Sequence, residues 1–287
     1  MALALASNSN QTMLRLTSKN GYLAFDADEC RGFGRSLANQ YQTASPFPHI
    51  VIDDFLPSDL LEQIVADFPS TEGKAFFDRD QERFKFQLSP NDSDSAVVRN
   101  LFAELNGEAF VAFLEEMTGI DGLIPDPHFV GGGLHETKAG GHLGIHADFN
   151  IHEELKIERK LNLLIYLNHD WPDEFGGALE LWDRGMKACE RKVAPVFGRA
   201  VIFNTDLDSF HGHPDPLACP PDRSRRSIAT YYYSAREEGL VALPKRNTNF
   251  QARPGQGDRT DWQVRRQHFI NDWVPPRLQR IAHRLFV

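Results

Sequence analysis

The chain has 287 residues, of which 41% are hydrophobic and 25% charged, a composition typical of globular proteins with a substantial core. Acidic residues outnumber basic ones by 40 to 31, and the net charge of −9 argues against a general nucleic-acid binder. Three scattered cysteines exclude a disulfide framework and a cysteine-rich zinc site, and they favour a reducing, cytoplasmic compartment. No apolar run approaches the roughly 20 residues that a membrane helix needs, so we expect no membrane association.

The N-terminal part of the chain changes character at residue 46. Residues 1–45 are mixed and polar, and we expect a loosely ordered lead-in there. The β-branched run at 49–52 then predicts a strand, and apolar residues at helical spacing predict a helix beginning near Ser58. Alternation predicts a strand at 83–88, and residues 96–118 have the pattern of one bent helix or two.

Residues 123–244 have the pattern of an all-β region. Six or more short apolar runs are separated by glycine, proline, asparagine and aspartate, which is typical of a sandwich, a barrel or a jelly roll. The segment 245–287 is mainly basic, and its end has the pattern of a short helix that begins at proline. We expect this extension to be a solvated face packed on the acidic body, with substrate steering or partner binding as the alternative.

The sequence His146-Ala147-Asp148 is the first candidate for chemistry. On a strand, residues i and i+2 point to the same face, so an imidazole and a carboxylate would project side by side. His211, just after a predicted strand at 200–204, is the candidate third ligand. Two histidines and one carboxylate on one face of a metal are the ligand set of non-haem Fe(II) oxygenases, and they leave coordination positions open.

Arg225 and Ser227 are the second candidate pair. They share a strand face, and a guanidinium with a neighbouring hydroxyl can hold a carboxylate through several hydrogen bonds. These residues therefore suit the distal carboxylate of a dicarboxylic acid. A surface ion pair is the alternative for Arg225, because Arg223 and Arg226 lie beside it in the sequence.

Four ordered stretches resemble the prolyl-4-hydroxylase-like branch of the 2-oxoglutarate/Fe(II)-dependent dioxygenases. They are GGHLGIHADFN, LNLLIYLNHDWPDEFGGALELWD, FGRAVIFNTDLDSFHGHP and RRSIATYYYS, and the earlier PFPHIVIDDFLPSDLLEQI is similar to the lead-in of that branch. The resemblance implies a mostly β fold with flanking helices around a double-stranded β-helix, the jelly-roll or cupin-like core. It places the dioxygenase domain at 46–244, with the jelly-roll core at about 123–234.

The resemblance also implies roles for individual residues. His146, Asp148 and His211 would bind iron, and Arg225 would bind the C5 carboxylate of 2-oxoglutarate, with Ser227 completing an Arg-x-Ser pattern. Two further residues are implied in cosubstrate binding: Tyr166, which precedes Leu167-Asn168, and Asn162 on the same strand face. Relatives place a tyrosine upstream of the His-x-Asp motif where this chain has His135, so the role of His135 stays open.

The expected activity is hydroxylation of an unactivated C–H bond with release of succinate and CO2. The cofactors implied are Fe(II), 2-oxoglutarate and O2, with ascorbate as a further candidate, and the substrate is either a prolyl residue or a small amino-acid-like molecule. Two alternatives remain: a cupin-like metal protein or isomerase without 2-oxoglutarate, and a non-catalytic partner-binding module. Only the oxygenase gives Arg225 and Ser227 a function. The sequence does not predict the oligomeric state.

Overall fold

The structure is a computed structural model that describes residues 14–235 and 245–258. The helices are α1 (Ala27–Gln42), α2 (Ser58–Ala66), α3 (Ala96–Leu105) and α4 (Glu108–Thr118), with short 3-10 turns at Pro90–Asp92 and Asp173–Phe175. The strands are β1 (Leu16–Lys19), β2 (Tyr22–Phe25), β3 (His49–Ile52), β4 (Phe77–Arg79), β5 (Glu82–Leu88), β6 (Leu123–Pro125), β7 (Gly133–Ala147), β8 (Glu158–Tyr166), β9 (Leu179–Trp182), β10 (Cys189–Val193), β11 (Ala200–Asn204), β12 (His211–His213), β13 (Ser224–Ser234) and β14 (Asn249–Phe250).

Twelve strands form one antiparallel sheet that curls into a nearly closed, jelly-roll-like barrel. The order along its main path is β10-β9-β12-β7-β13-β8-β11-β3. Strands β5 and β14 also pair with β7, while β4 pairs with β5 and β6 with β13. The long β7 therefore joins both sides of the barrel. The predicted fold class, mostly β with flanking helices around a jelly-roll core, is confirmed.

Alternating side chains give the sheet two apolar faces. On β8, Leu161, Leu163 and Ile165 pack in the large core that also holds the helices α2, α3 and α4. Tyr166, on the opposite face of β8, packs with Phe203 of β11 inside the barrel. The two-residue period of the strands thus divides the structure into a helix-facing layer and an interior that is open to polar side chains.

The expectation of a loosely ordered lead-in is wrong for residues 14–42. Helix α1 begins after the N-cap Asp26, whose side chain accepts a hydrogen bond from the Glu29 amide at 2.9 Å. It packs closely on α4, where a Cβ at Gly34 would lie only 2.4 Å from the Phe113 carbonyl oxygen. Its buried face combines the small Cys30 and Gly34 with Tyr41, and Phe33 and Leu37 pack beside them, so the apolar spacing of a helix is present within a mainly polar segment.

Two further expectations concern the C-terminal segment and membrane-spanning helices. The predicted C-terminal short helix lies outside the described residues. Among the helices of the described part of the chain, none has the length and apolar character needed to cross a membrane.

Candidate metal and cosubstrate site

Three predicted ligands converge inside the barrel. His146 lies near the end of β7, Asp148 follows that strand directly, and the Cα register places His211 of β12 opposite His146. One ligand atom from each of the three lies within 4.8 Å of the others. Strand pairing therefore brings together residues that are 63 positions apart in the sequence.

Backbone carbonyls fix the orientation of both imidazoles. Nδ1 of His146 lies 2.9 Å from the Gly144 oxygen, and Nδ1 of His211 lies 2.9 Å from the Ser209 oxygen. A carbonyl can only accept, so each Nδ1 carries the proton and each Nε2 keeps a lone pair. Both Nε2 atoms lie close to Asp148, at 3.6 Å and 3.5 Å from its carboxylate oxygens. This arrangement suits metal-ligating histidines, whose second nitrogen is normally held by such a partner.

Asp148 is held by a cation that the sequence analysis did not single out. The guanidinium of Arg159 lies 3.1 Å from Oδ2, and the Asn162 amide donates to the same oxygen at 2.8 Å. Burial by itself would raise the pKa of Asp148, but the charge of Arg159 outweighs it and holds this pKa well below its usual range. The carboxylate is therefore charged and ready to bind a cation.

Arg159 is itself tightly enclosed. Its guanidinium carbon lies 3.5 Å from the centre of the Tyr231 ring and 4.7 Å from that of Phe149. Its Nε and one terminal nitrogen donate to the Asn162 amide oxygen at 3.0 and 2.7 Å. Strict alternation would place Arg159 and Asn162 on opposite faces, but the β8–β13 pairing skips Lys160, and this bulge turns Arg159 inward. The inward direction of Arg159 depends on this bulge, and the bulge has no clear signal in the sequence.

Arg225 is a buried cation with no anionic partner. Nε donates to the Gly177 carbonyl oxygen at 2.8 Å, and one terminal nitrogen lies 3.3 Å from the Tyr166 hydroxyl. Within the described residues, no carboxylate comes within ion-pairing distance of it. Burial lowers the pKa of Arg225, yet a guanidinium stays protonated in proteins. Its remaining donors thus suit an anionic ligand.

The other predicted cosubstrate residues have different surroundings. Ser227 lines the cavity and is the register partner of Tyr166. Tyr166 is fully buried, and its hydroxyl contacts Arg225, so it can position the guanidinium. Asn162 lines the cavity but bonds to Asp148 and Arg159, which places it beside the metal ligands.

Two more histidines line the same cavity. Nε2 of His135 bonds to the Gly131 carbonyl oxygen at 3.0 Å. Burial, aided by the Lys85 charge, lowers the pKa of His135 to about 3. Burial, followed by the charges of Arg225 and Lys85, also lowers the pKa of His213 well below its usual range. Both rings are therefore neutral near pH 7.

The cavity has a volume of about 200 Å³, and its outer wall comes from β4, β5 and β14. Phe250 of β14 lies 5.3 Å, ring to ring, from His146. Glu82 is buried in this wall and pairs with Arg79 at 2.7 Å and Lys85 at 2.8 Å. The predicted strand at 83–88 thus lies against the site.

Comparisons with known proteins agree with this geometry. Residues 132–233, which contain the three clustered residues and Arg225, match the 2OG-Fe(II) oxygenase superfamily. These residues are thus similar to a 2OG-Fe(II) oxygenase domain, and the predicted resemblance to the 2-oxoglutarate/Fe(II)-dependent oxygenases is confirmed.

One curated relative and two solved structures that resemble the chain are prolyl hydroxylases. The chain is 27% identical over 195 residues to the mouse prolyl 3-hydroxylase OGFOD1, a match that covers 66% of this chain and 33% of the mouse protein. It therefore spans about a third of that relative's length. Solved structures show a similar fold. A Pseudomonas putida prolyl-4-hydroxylase has a TM-score of 0.51 at 18% identity, covering 71% of this chain and all of that one. A Trichoplax adhaerens prolyl hydroxylase, solved with a hypoxia-inducible-factor peptide, has a TM-score of 0.51 at 17% identity, covering 72% of this chain and 91% of that one.

Proposed function

We propose that this protein is an Fe(II)- and 2-oxoglutarate-dependent hydroxylase that acts on a prolyl residue of a polypeptide. One observation carries the proposal: a single cavity contains a two-histidine, one-carboxylate cluster and a buried arginine without an anionic partner among the described residues. The cluster suits a divalent cation, and the arginine suits the distal carboxylate of a 2-oxo diacid.

The donor set fits Fe(II). His146 and His211 each offer Nε2, and Asp148 offers a charged carboxylate, so three ligands would leave other positions for cosubstrate and O2. When bound, Fe(II) with 2-oxoglutarate activates O2, so that one oxygen atom enters a substrate C–H bond and the other enters succinate as CO2 is released.

The residues of the chain orient the metal ligands and bind the cosubstrate. Carbonyls of β7 and of the segment before β12 hold the two imidazoles, and Arg159 holds the carboxylate of Asp148. Arg225, steadied by Gly177 and Tyr166, would anchor the cosubstrate at the other end of the cavity. The ring of Phe250 packs beside that of His146 and supplies an apolar surface at the metal end of the cavity.

Two observations favour a polypeptide substrate. The relatives with the matching domain are named prolyl hydroxylases, and one was solved with a peptide. Phe77 of β4 lines the cavity, and Phe76 precedes it in the chain. These two large apolar side chains are 39% and 44% exposed. Exposed aromatic groups beside a site are typical of surfaces that receive a larger partner. Ascorbate, as an accessory reductant, stays a prediction.

The test is hydroxylation of proline-containing peptides by the iron-loaded protein, measured as a mass gain of one oxygen atom together with succinate release. We expect Asp148→Ala and His211→Ala to lose at least 100-fold in turnover, because each removes a ligand of the proposed metal. The control His128→Ala alters a half-exposed histidine outside the cavity and should retain activity.

Two outcomes would count against the proposal. Full activity in either ligand variant would contradict the metal assignment. Hydroxylation of free amino acids with no peptide accepted would contradict the polypeptide substrate while leaving the enzyme class intact.

A further inference from the structure

His213 differs from the other cavity histidines. It is only 3% exposed, and its Nδ1 is enclosed without a hydrogen-bond partner. No hydrogen bond joins its ring to any other residue in the described ranges. By contrast, His146, His211 and His135 each have one ring nitrogen on a backbone carbonyl. A buried polar group without a partner is costly, so an unpartnered imidazole in a cavity points to a ligand.

The strand places His213 within reach of that ligand. On β12, His213 follows His211 by two residues, so both side chains lie on the interior face, and both line the cavity. Arg225 and Lys85 are the cations that face His213. Arg225 lines the same cavity. His213 therefore shares one cavity with the metal cluster and with Arg225.

Arg225 has three of its five N–H groups left for a carboxylate, because Nε–H donates to the Gly177 carbonyl and one terminal N–H to the Tyr166 hydroxyl. A carboxylate offers about four acceptor positions, so further donors are needed when it is buried. Ser227 supplies one hydroxyl in the cavity wall, and the imidazole of His213 can supply another N–H.

We propose that His213 donates a hydrogen bond to the distal carboxylate of 2-oxoglutarate and so selects dicarboxylic over monocarboxylic 2-oxo acids. This inference rests on the proposed function. It gives the buried imidazole the partner that the described residues do not provide.

The experiment measures anaerobic binding of two cosubstrates to the Fe(II)-loaded full chain. The probes are 2-oxoglutarate and 2-oxopentanoate, which share the metal-binding keto-acid end and differ in the distal carboxylate. We expect His213→Leu to weaken 2-oxoglutarate binding about tenfold, the effect of one lost hydrogen bond to a charged group, and to change 2-oxopentanoate binding less than about twofold. His213→Gln, which keeps an N–H donor, should recover part of the loss.

His49→Leu is the matched control. His49 is also buried, but it lies on β3 outside the cavity, so its loss should leave both cosubstrate affinities unchanged. Equal weakening of both ligands by His213→Leu, or weakening of neither, would overturn the role of His213. Failure of the unmodified protein to bind 2-oxoglutarate would instead overturn the proposed function, and the two failures are thus distinguishable.

Discussion

At the scale of single residues, the site contains buried charges with two kinds of partner. Asp148 is paired with the charged Arg159, whereas the partners of Arg225 among the described residues are neutral, the Gly177 carbonyl and the Tyr166 hydroxyl. A charge balanced within the protein organises the metal ligands, and a charge left unbalanced recruits a ligand of opposite sign. This difference between the two arginines distinguishes the metal end of the cavity from the cosubstrate end.

The neighbouring arginines 225 and 226 give a direct test. Arg225→Ala should weaken 2-oxoglutarate binding by about 30-fold or more, because it removes the guanidinium proposed to bind the distal carboxylate, while Fe(II) affinity changes little. Arg226→Ala is the control, since that guanidinium lies outside the cavity on Glu136 at 2.9 Å. Titrations of the two variants with 2-oxoglutarate separate them. A loss in Arg226→Ala but not in Arg225→Ala would mean that the register of β13 is wrong by one residue.

At the scale of elements, the short strand β12 carries the third predicted ligand, and its contact with β7 is very close. A Cβ at Gly212 would lie 2.7 Å from the Gly144 oxygen and 2.8 Å from the Leu143 oxygen. Both atoms belong to the backbone of β7, which cannot move without moving His146. The absence of a side chain at Gly212 thus lets the two ligand-bearing strands approach each other.

Gly212→Ala should push β12 away from β7. We expect the free energy of unfolding to fall by about 2 kcal/mol and Fe(II) affinity to fall about tenfold, as His211 is displaced. Denaturant unfolding and metal titration measure the two effects. Gly32→Ala on α1 is the control: a Cβ there meets nothing within 4 Å, so it should stabilise the helix by up to about 1 kcal/mol. Unchanged Fe(II) affinity in Gly212→Ala would contradict the role of this close approach.

The element scale also shows what sequence patterns can predict. Helical spacing correctly predicted the helices over 96–118, and alternation correctly placed Arg225 and Ser227 on one strand face. Alternation missed Arg159, because a bulge at Lys160 reverses it. The polar composition of the N-terminal segment also concealed α1, whose buried face combines Gly34 with Phe33 and Tyr41. Local periodicity thus reveals regular elements and fails where a bulge or a mainly polar composition obscures it.

At the scale of the whole molecule, the cavity histidines link stability to pH. Burial first, and the neighbouring His146 second, lower the pKa of His211 to about 4, and the pKa of His135 is lowered to about 3. In the unfolded chain these side chains titrate near pH 6.5. Below that pH the unfolded state binds protons that the folded state does not accept until about pH 4.

The metal-free protein should therefore lose stability as pH falls from about 6.5 to about 4, by up to about 1.4 kcal/mol per pH unit for each buried histidine. Carboxylates with a lowered pKa, such as Asp148 and Glu136, add to the loss only below their unfolded values near pH 4. Melting temperatures across this range measure the slope, and His135→Gln should reduce it. A melting temperature that stays constant from pH 7 to pH 5 would contradict this account.

The predicted metal ligands show what the complete fold adds to the sequence pattern. The sequence alone could place His146 and Asp148 on one strand face, but the pairing of β12 with β7 is what brings His211 opposite them. Likewise, Asn162 was expected at the cosubstrate end, and the structure has it beside Asp148. Long-range pairing and side-chain partners depend on the closed barrel, which no local pattern encodes.

The most direct test of the central claim is an anaerobic titration of the metal-free protein with Fe(II) and then with 2-oxoglutarate, followed by visible absorption. We predict a weak charge-transfer band that appears only when both are present and saturates at one equivalent per chain. This band reports a keto acid chelated to the metal, as the cluster and Arg225 together require. Binding of Fe(II) without any band on addition of 2-oxoglutarate would contradict the account and favour a metal protein that does not use this cosubstrate.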